Sequence, residues 1–120
     1  MHEGDDLPRV TDSTSMREAI YEMSAKKLGI TAVTDSQGLL VGCISDGDLR
    51  RMLEKDDSIL GRTAGECMTA DPLTIDRAQL APAALKLMED NRITSLFVCD
   101  QARSLEGIIH LHDLWRLDLF

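Results

Sequence analysis

The stretch Gly42-Cys-Ile-Ser-Asp-Gly-Asp-Leu-Arg-Arg51 gathers a hydroxyl (Ser45), two carboxylates (Asp46 and Asp48) and a guanidinium (Arg51) within one short run. A second stretch, Gly107-Ile-Ile-His-Leu-His-Asp-Leu-Trp-Arg116, repeats the frame but sets His110 and Leu111 where the first has Ser45 and Asp46. In the first, Ser45 can donate to a phosphate or sugar oxygen, and Asp48, one turn along, can accept from vicinal ribose hydroxyls. A helix beginning there directs unpaired N–H groups and its positive dipole end at an anion. The same residues also spell an N-cap followed by an acidic third residue, worth about 0.5 to 2 kcal/mol with no ligand at all. Spacing leaves both roles open.

In the second stretch three roles compete for His110, His112 and Asp113: a divalent-metal site, a pH-sensitive contact to an anion, or polar residues at a strand-to-helix corner. Two histidines two apart share one side only while a strand continues. A helix starting at 111 would turn them away from each other, and no further ligand is in sight. Arg50, Arg51, Arg92 and Arg116 are the cations best placed to attract an anion, or else members of solvated helix faces. Trp115 has no aromatic neighbours for a stacking platform and is expected to pack.

What must position these groups follows from a repeat. At a shift of 65 residues, the separation of Gly42 and Gly107, Ala19 meets Ala84, Met23 meets Met88, Val33 meets Val98, Ile44 meets Ile109, Asp48 meets Asp113 and Arg51 meets Arg116. No gap is needed from Val10 and Ile75 onward. A half of about 45 residues buries its apolar face poorly by itself, so the halves are expected to pack on each other.

Within each half the hydrophobic period changes in a fixed order. Met16, Ala19, Ile20 and Met23 recur at helical spacing behind a capping cluster at 12–15, and Ala81, Ala84, Leu85 and Met88 repeat them. Apolar runs at Ile30–Thr34 and 39–44, parted by Asp35-Ser-Gln-Gly38, predict a hairpin. Its counterpart, Ser95–Cys99 and Leu105–His110, is joined through 100–104, which lacks the glycine and predicts a looser turn. A second helix follows at Asp46–Lys55, matched by 111–117. Extended pieces at 8–11 and 72–75 complete strand, helix, strand, strand, helix, twice. The expected domains are a first repeat at 1–55, a connector at 56–71 with a capping box at 63–66, and a second repeat at 72–120. The opening 1–8 resembles 68–72, so Met1 is expected to be an internal residue of a longer chain.

Composition narrows the classes. The chain has 120 residues, 43% of them hydrophobic and 28% charged, in the range of soluble globular proteins. No apolar run approaches the roughly 20 residues that span a bilayer, and no leader is legible, so a cytoplasmic address is expected. The net charge of −8, with scattered basic residues, argues against a nucleic-acid partner. Cys43, Cys67 and Cys99 lack metal or redox spacing and read as reduced thiols.

The element order, the Gly-x-x-Ser-x-x-Asp frame and the Cys67-Met-Thr69 step resemble a tandem pair of CBS domains, the Bateman module, over essentially the whole chain. The resemblance implies an α/β (α+β) fold of two β-α-β-β-α repeats related by pseudo-two-fold symmetry. It also implies that Ser45 and Asp48 contact a ligand, and that Thr31 and Thr94 offer groups to a base, although both threonines fit equally as β-formers. More narrowly, 45–51, Leu28-Gly-Ile-Thr31, Ala84-Leu-Lys-Leu-Met88, Arg92-Ile-Thr94 and His112-Asp-Leu114 resemble the carboxy-terminal part of bacterial arabinose-5-phosphate isomerases. The amino-terminal sugar isomerase (SIS) domain of that family has no room here.

The expectation is therefore a regulatory ligand-binding pair that is not itself an enzyme and requires no cofactor or metal. Its effector would be a nucleotide or sugar nucleotide: CMP-Kdo, suggested by feedback in the pathway that arabinose 5-phosphate enters, or CMP, AMP or ATP. It would modulate an attached isomerase domain and form a homodimer of pairs. The alternatives are an oligomerisation module with vestigial clefts, or the CBS pair of a sugar nucleotidyltransferase. No nucleophile with a base and orienter stands in recognisable order.

Overall fold

A computed structural model describes residues 2–79 and 83–111. The chain divides into two compact units, one of residues 8–72 and one of residues 1–7 with 73–120.

In the first unit, β1 (Arg9–Thr11) leads to α1 (Met16–Lys26), β2 (Ile30–Thr34), β3 (Leu40–Ser45) and α2 (Asp46–Lys55). α3 (Ala64–Cys67) and β4 (Thr69–Ala70) follow. Helix α1 starts where Ser15 accepts the amide of Glu18, and it ends at Lys27, which adopts the left-handed conformation and returns its N–H to Met23. Such a cap turns the chain back toward the sheet. β1 and β2 pair in parallel, with Val10 opposite Val33. β2 and β3 form the expected hairpin, with Val33 opposite Gly42 and a bulge between Val33 and Thr34. β4 pairs antiparallel with β3, setting Ala70 against Gly42 and Thr69 against Cys43. One face of this sheet packs with α1 around Met16, Ala19, Met23, Val33 and Ile44. Ile59 and Ala64, from the segment read as a connector, complete that core.

The second unit repeats the pairings 65 residues on. β5 (Thr74–Ile75) lies parallel to β6 (Ser95–Cys99), with Ile75 opposite Val98. β6 pairs with β7 (Leu105–His110), with Val98 opposite Gly107 and the bulge again one residue later. Helix α4 (Ala83–Asn91) contributes Ala84 and Met88 to a core with Ile75, Leu96, Val98 and Ile109. Arg92 adopts the left-handed conformation at the position of Lys27. Leu111 is helical, and the rest of the expected 111–117 helix lies outside the described residues.

The outer edge of β7 carries a pairing that the repeat order did not suggest. His2 exchanges backbone hydrogen bonds with Ile108 at 2.9 and 3.0 Å, and the Arg77 guanidinium binds Glu3 at 2.6 Å. His2 on Ile108 corresponds to Thr69 on Cys43. Each sheet is thus extended by the segment that introduces the other repeat's first strand.

The turn at 100–104 is not looser than its counterpart. Oδ1 of Asp35 accepts from Gln37 and Leu39 at 2.9 and 3.0 Å, and Oδ1 of Asp100 accepts from Ala102 and Ser104 at 2.9 Å each. Arg103 takes the left-handed conformation of Gly38, with φ of 68° against 85°. The aspartate, bonding two amides ahead of itself, holds the turn in both copies, so the glycine is dispensable.

Candidate functional site

Helix α2 begins at the end of β3, where Ser45 is still extended and can cap. Ser45 Oγ accepts the Asp48 amide at 3.1 Å, and Asp48 Oδ2 accepts the Ser45 amide at 3.4 Å. This is the full reciprocal cap, so the helix start serves itself. The Asp46 amide is also committed, donating to the Gly29 carbonyl at 2.9 Å. The equivalent bond in the second unit runs from Leu111 to Thr94 at 2.8 Å, so it does not depend on the side chain at that position.

Asp48 is the centre of the group. Besides the Ser45 amide, Oδ2 accepts the hydroxyl of Thr69 at 3.4 Å, and Oδ1 is paired with the Arg51 guanidinium. Burial pushes its carboxyl upward, but the hydrogen bonds from Ser45 and the Arg51 charge outweigh that and hold it below the ordinary 3.8. It is therefore an anion at neutral pH, fixed in place and one quarter exposed. Cys43, on the neighbouring strand, is pushed up to about 11 by burial first and by the Asp48 charge second. It stands there as a neutral thiol.

Beside Asp48 opens a depression of about 230 Å³ lined by Asp48, Arg51, Met52, Lys55, Cys67 and Thr69. Spacing of three, four and seven residues puts Arg51, Met52 and Lys55 on the helix face that carries Asp48. β4 contributes Thr69 and α3 contributes Cys67 to the lining. The chemistry offered is a hydroxyl-accepting carboxylate, a hydroxyl, two cations and the sulfur atoms of Met52 and Cys67.

Of the residues singled out in the sequence, Ser45, Asp46, Asp48 and Arg51 come together on the first two turns of α2. Thr31 does not join them at the surface: it is fully buried in β2, and its hydroxyl donates to the Ala32 carbonyl at 3.2 Å. Thr94 is exposed just ahead of β6. The shift of 65 places it at Gly29 and places Thr31 at Leu96, so the two threonines are not counterparts. His110 ends β7 opposite Ser95 and is half-buried. His112, Asp113, Trp115 and Arg116 lie outside the described residues.

Sequence reasoning missed Thr69, Lys55, Met52 and Cys67 as neighbours of Asp48. Helical spacing from Asp48 would have found Met52 and Lys55. Thr69 and Cys67 required knowledge that the connector returns to β3.

Two strand-helix-strand-strand units duplicated in register form the architecture of a Bateman module. The CBS domain model matches residues 3–55 and 64–114, and the chain belongs to the CBS-domain family. It is 42% identical to arabinose 5-phosphate isomerase KdsD of Pseudomonas aeruginosa, over 97% of this chain and 36% of that protein. It is 40% identical to the KdsD of Francisella tularensis, over 99% of this chain and 36% of that one. The chain thus spans about a third of the length of these curated relatives. Among solved structures it resembles CBSX2 of Arabidopsis thaliana in complex with AMP, with a TM-score of 0.84 and 28% identity over 99% of this chain and 92% of that one.

Proposed function

We propose that this chain is a regulatory CBS pair that binds a nucleotide or sugar nucleotide beside Asp48 and modulates an arabinose-5-phosphate isomerase (SIS) domain. The observation that carries the reading is the fixed, ionised Asp48 carboxylate, which lines an open depression together with the Thr69 hydroxyl. A carboxylate in that state accepts sugar hydroxyls without a proton having to move. Two likenesses support the assignment: the AMP complex of a structural neighbour at 28% identity, and KdsD relatives whose matched third corresponds to this chain. AMP, ATP, CMP and CMP-Kdo are the effectors to test, and catalysis belongs to the isomerase domain. A cytoplasmic address goes with this role, and no described helix is long and apolar enough to cross a membrane.

Isothermal titration of the chain with those four compounds tests the proposal. At least one is expected to bind, and Asp48→Ala is expected to abolish that binding. Heat silence with all four would end the sensor reading.

Exposed apolar side chains favour a second role beside this one. Tyr21 on α1 is 77% exposed and Leu53 on α2 is 48% exposed, apolar groups of the kind a homodimer of pairs would cover. Were the module purely for assembly, sedimentation would show the dimer while no titrant bound.

A further inference from the structure

The residues that precede β1 are fastened unevenly. At one end Leu7 is buried and the Pro8 carbonyl accepts the Ala32 amide at 3.0 Å, so this end is fixed. At the other, His2 makes its two backbone bonds to Ile108, and Glu3 holds the Arg77 guanidinium. Between them Gly4–Asp6 form a single 3-10 turn, entered at Gly4 with φ of 56° and open space where a Cβ would stand. Glycine enters and leaves that conformation without the steric cost other residues bear. The segment is thus anchored at one end, jointed in the middle and held at the other by few contacts.

Those few contacts are weak. Arg77 and Glu3 are each about half exposed, and exposed ion pairs shift an equilibrium by about fivefold at most and are screened by salt. Arg77 also has a second carboxylate in reach, that of Glu106 on β7, 3.9 Å from its Nε. Releasing Glu3 does not leave the guanidinium alone, since Glu106 can take up the donors set free. The change would also be local. Ile108 directs both of its backbone groups outward to His2, whereas its neighbours Gly107 and Ile109 direct theirs to β6.

We infer that residues 2–7 are a releasable strap, hinged at Gly4, closed by Arg77 on Glu3 and opened by transfer of Arg77 to Glu106. Opening frees the outer edge of β7 and leaves the β6–β7 pairing intact. One consequence rests on the proposed function: an isomerase domain joined ahead of this chain is tied to β7 while the strap is closed and free of it when open. The strap itself is read without any ligand. Its failure leaves the sensor reading standing, and silence of the effectors leaves the strap standing.

Amide exchange of the 120-residue chain, followed by NMR at constant pH, reads the strap at Ile108 and the sheet at Ile109. Ile108 is expected to exchange faster than Ile109. Arg77→Gln and Glu3→Gln should each speed Ile108 by about two- to fivefold, with no further gain in the double variant and no change at Ile109. Raising sodium chloride from about 0.05 to about 1 M should do the same to the native chain and nothing to Arg77→Gln. Glu106→Gln should slow Ile108, because the open state loses its partner for the cation. Equal rates at Ile108 and Ile109 in the native chain would show no separate opening and overturn the strap. An effect of Arg77→Gln that Glu3→Gln does not match would overturn the latch, since Arg77 would then act through the packing of its own turn. Exchange at Ile108 that Glu106→Gln leaves unchanged or speeds would overturn the transfer.

Discussion

Thr69 donates its hydroxyl to Asp48 Oδ2 at 3.4 Å, which ties the strand that leads out of the first repeat to the helix carrying the candidate ligand contacts. A ligand hydroxyl at this oxygen, as the proposed function has it, would displace Thr69 or share with it, and β4 is the segment through which the chain continues to the second repeat.

Acid should weaken the first unit through Asp48. Its carboxyl is held below 3.8 in the folded chain, so the stabilisation is present above that value and is lost as pH falls through the lower folded value. Urea midpoints measured at pH 6 and pH 3 should fall less steeply with acid in Asp48→Asn than in the native chain. Equal slopes would show that Asp48 gains nothing from its partners.

Ser45→Ala should cost about 1 kcal/mol by removing the cap of α2, with no ligand present. Ser45→Asn, which can still cap, should recover most of it. Urea denaturation of the three chains measures the difference, and indifference to alanine would mean the cap contributes little.

Gly42 is where β4 and Met68 crowd onto β3. A Cβ there would stand 2.4 Å from the Met68 sulfur and 2.8 Å from the Thr69 carbonyl oxygen. The methionine can swing aside, but the backbone oxygen cannot without opening the strand pair. Gly42→Ala should cost about 1 to 3 kcal/mol. Amide exchange should speed up at Thr69 and Ala70 more than at Ala32.

Gly38→Ala should cost about 1 kcal/mol for backbone reasons alone, since φ is 85° and no atom lies within 4 Å of the added carbon. Its counterpart Arg103 already bears that cost. The thermal midpoint of Gly38→Ala should drop, and an unchanged midpoint would show that the Asp35 turn tolerates a side chain freely.

Cys43 should resist alkylation at pH 8, because its thiol is pushed up to about 11 by burial and the Asp48 charge. Stability tied to the neutral thiol is complete below 9.0 and disappears as pH rises through about 11. Mass mapping after iodoacetamide at stepped pH gives the profile, and full labelling at pH 8 in the folded chain would contradict it.

Much of this molecule was legible before any coordinates. Ala19 and Ala84, Met23 and Met88, and Val33 and Val98 announced a duplicated unit, and all six are buried in their respective cores. The hairpin of Ile30–Thr34 with Leu40–Ser45 and its copy, Ser95–Cys99 with Leu105–His110, were readable because apolar runs bounded by aspartate turns are local signals. The turn at 100–104 misled, since the missing glycine was visible while the work of the Asp100 side chain was not.

By itself, then, the sequence determined the repeat, the order of elements and the two-fold role of Ser45 and Asp48 as either cap or contact, because these depend on residue types a few positions apart. The tertiary structure alone decided which strand edge Thr69 and His2 would join, that Thr31 would be buried, and that the cap at Ser45 is made while Lys55 is left facing a depression. A two-residue strand has no period to read, and its choice of partner is settled by packing between residues far apart in the chain. Whether Asp48 meets only the partners of its own helix start or also borders a depression depends on that distant choice.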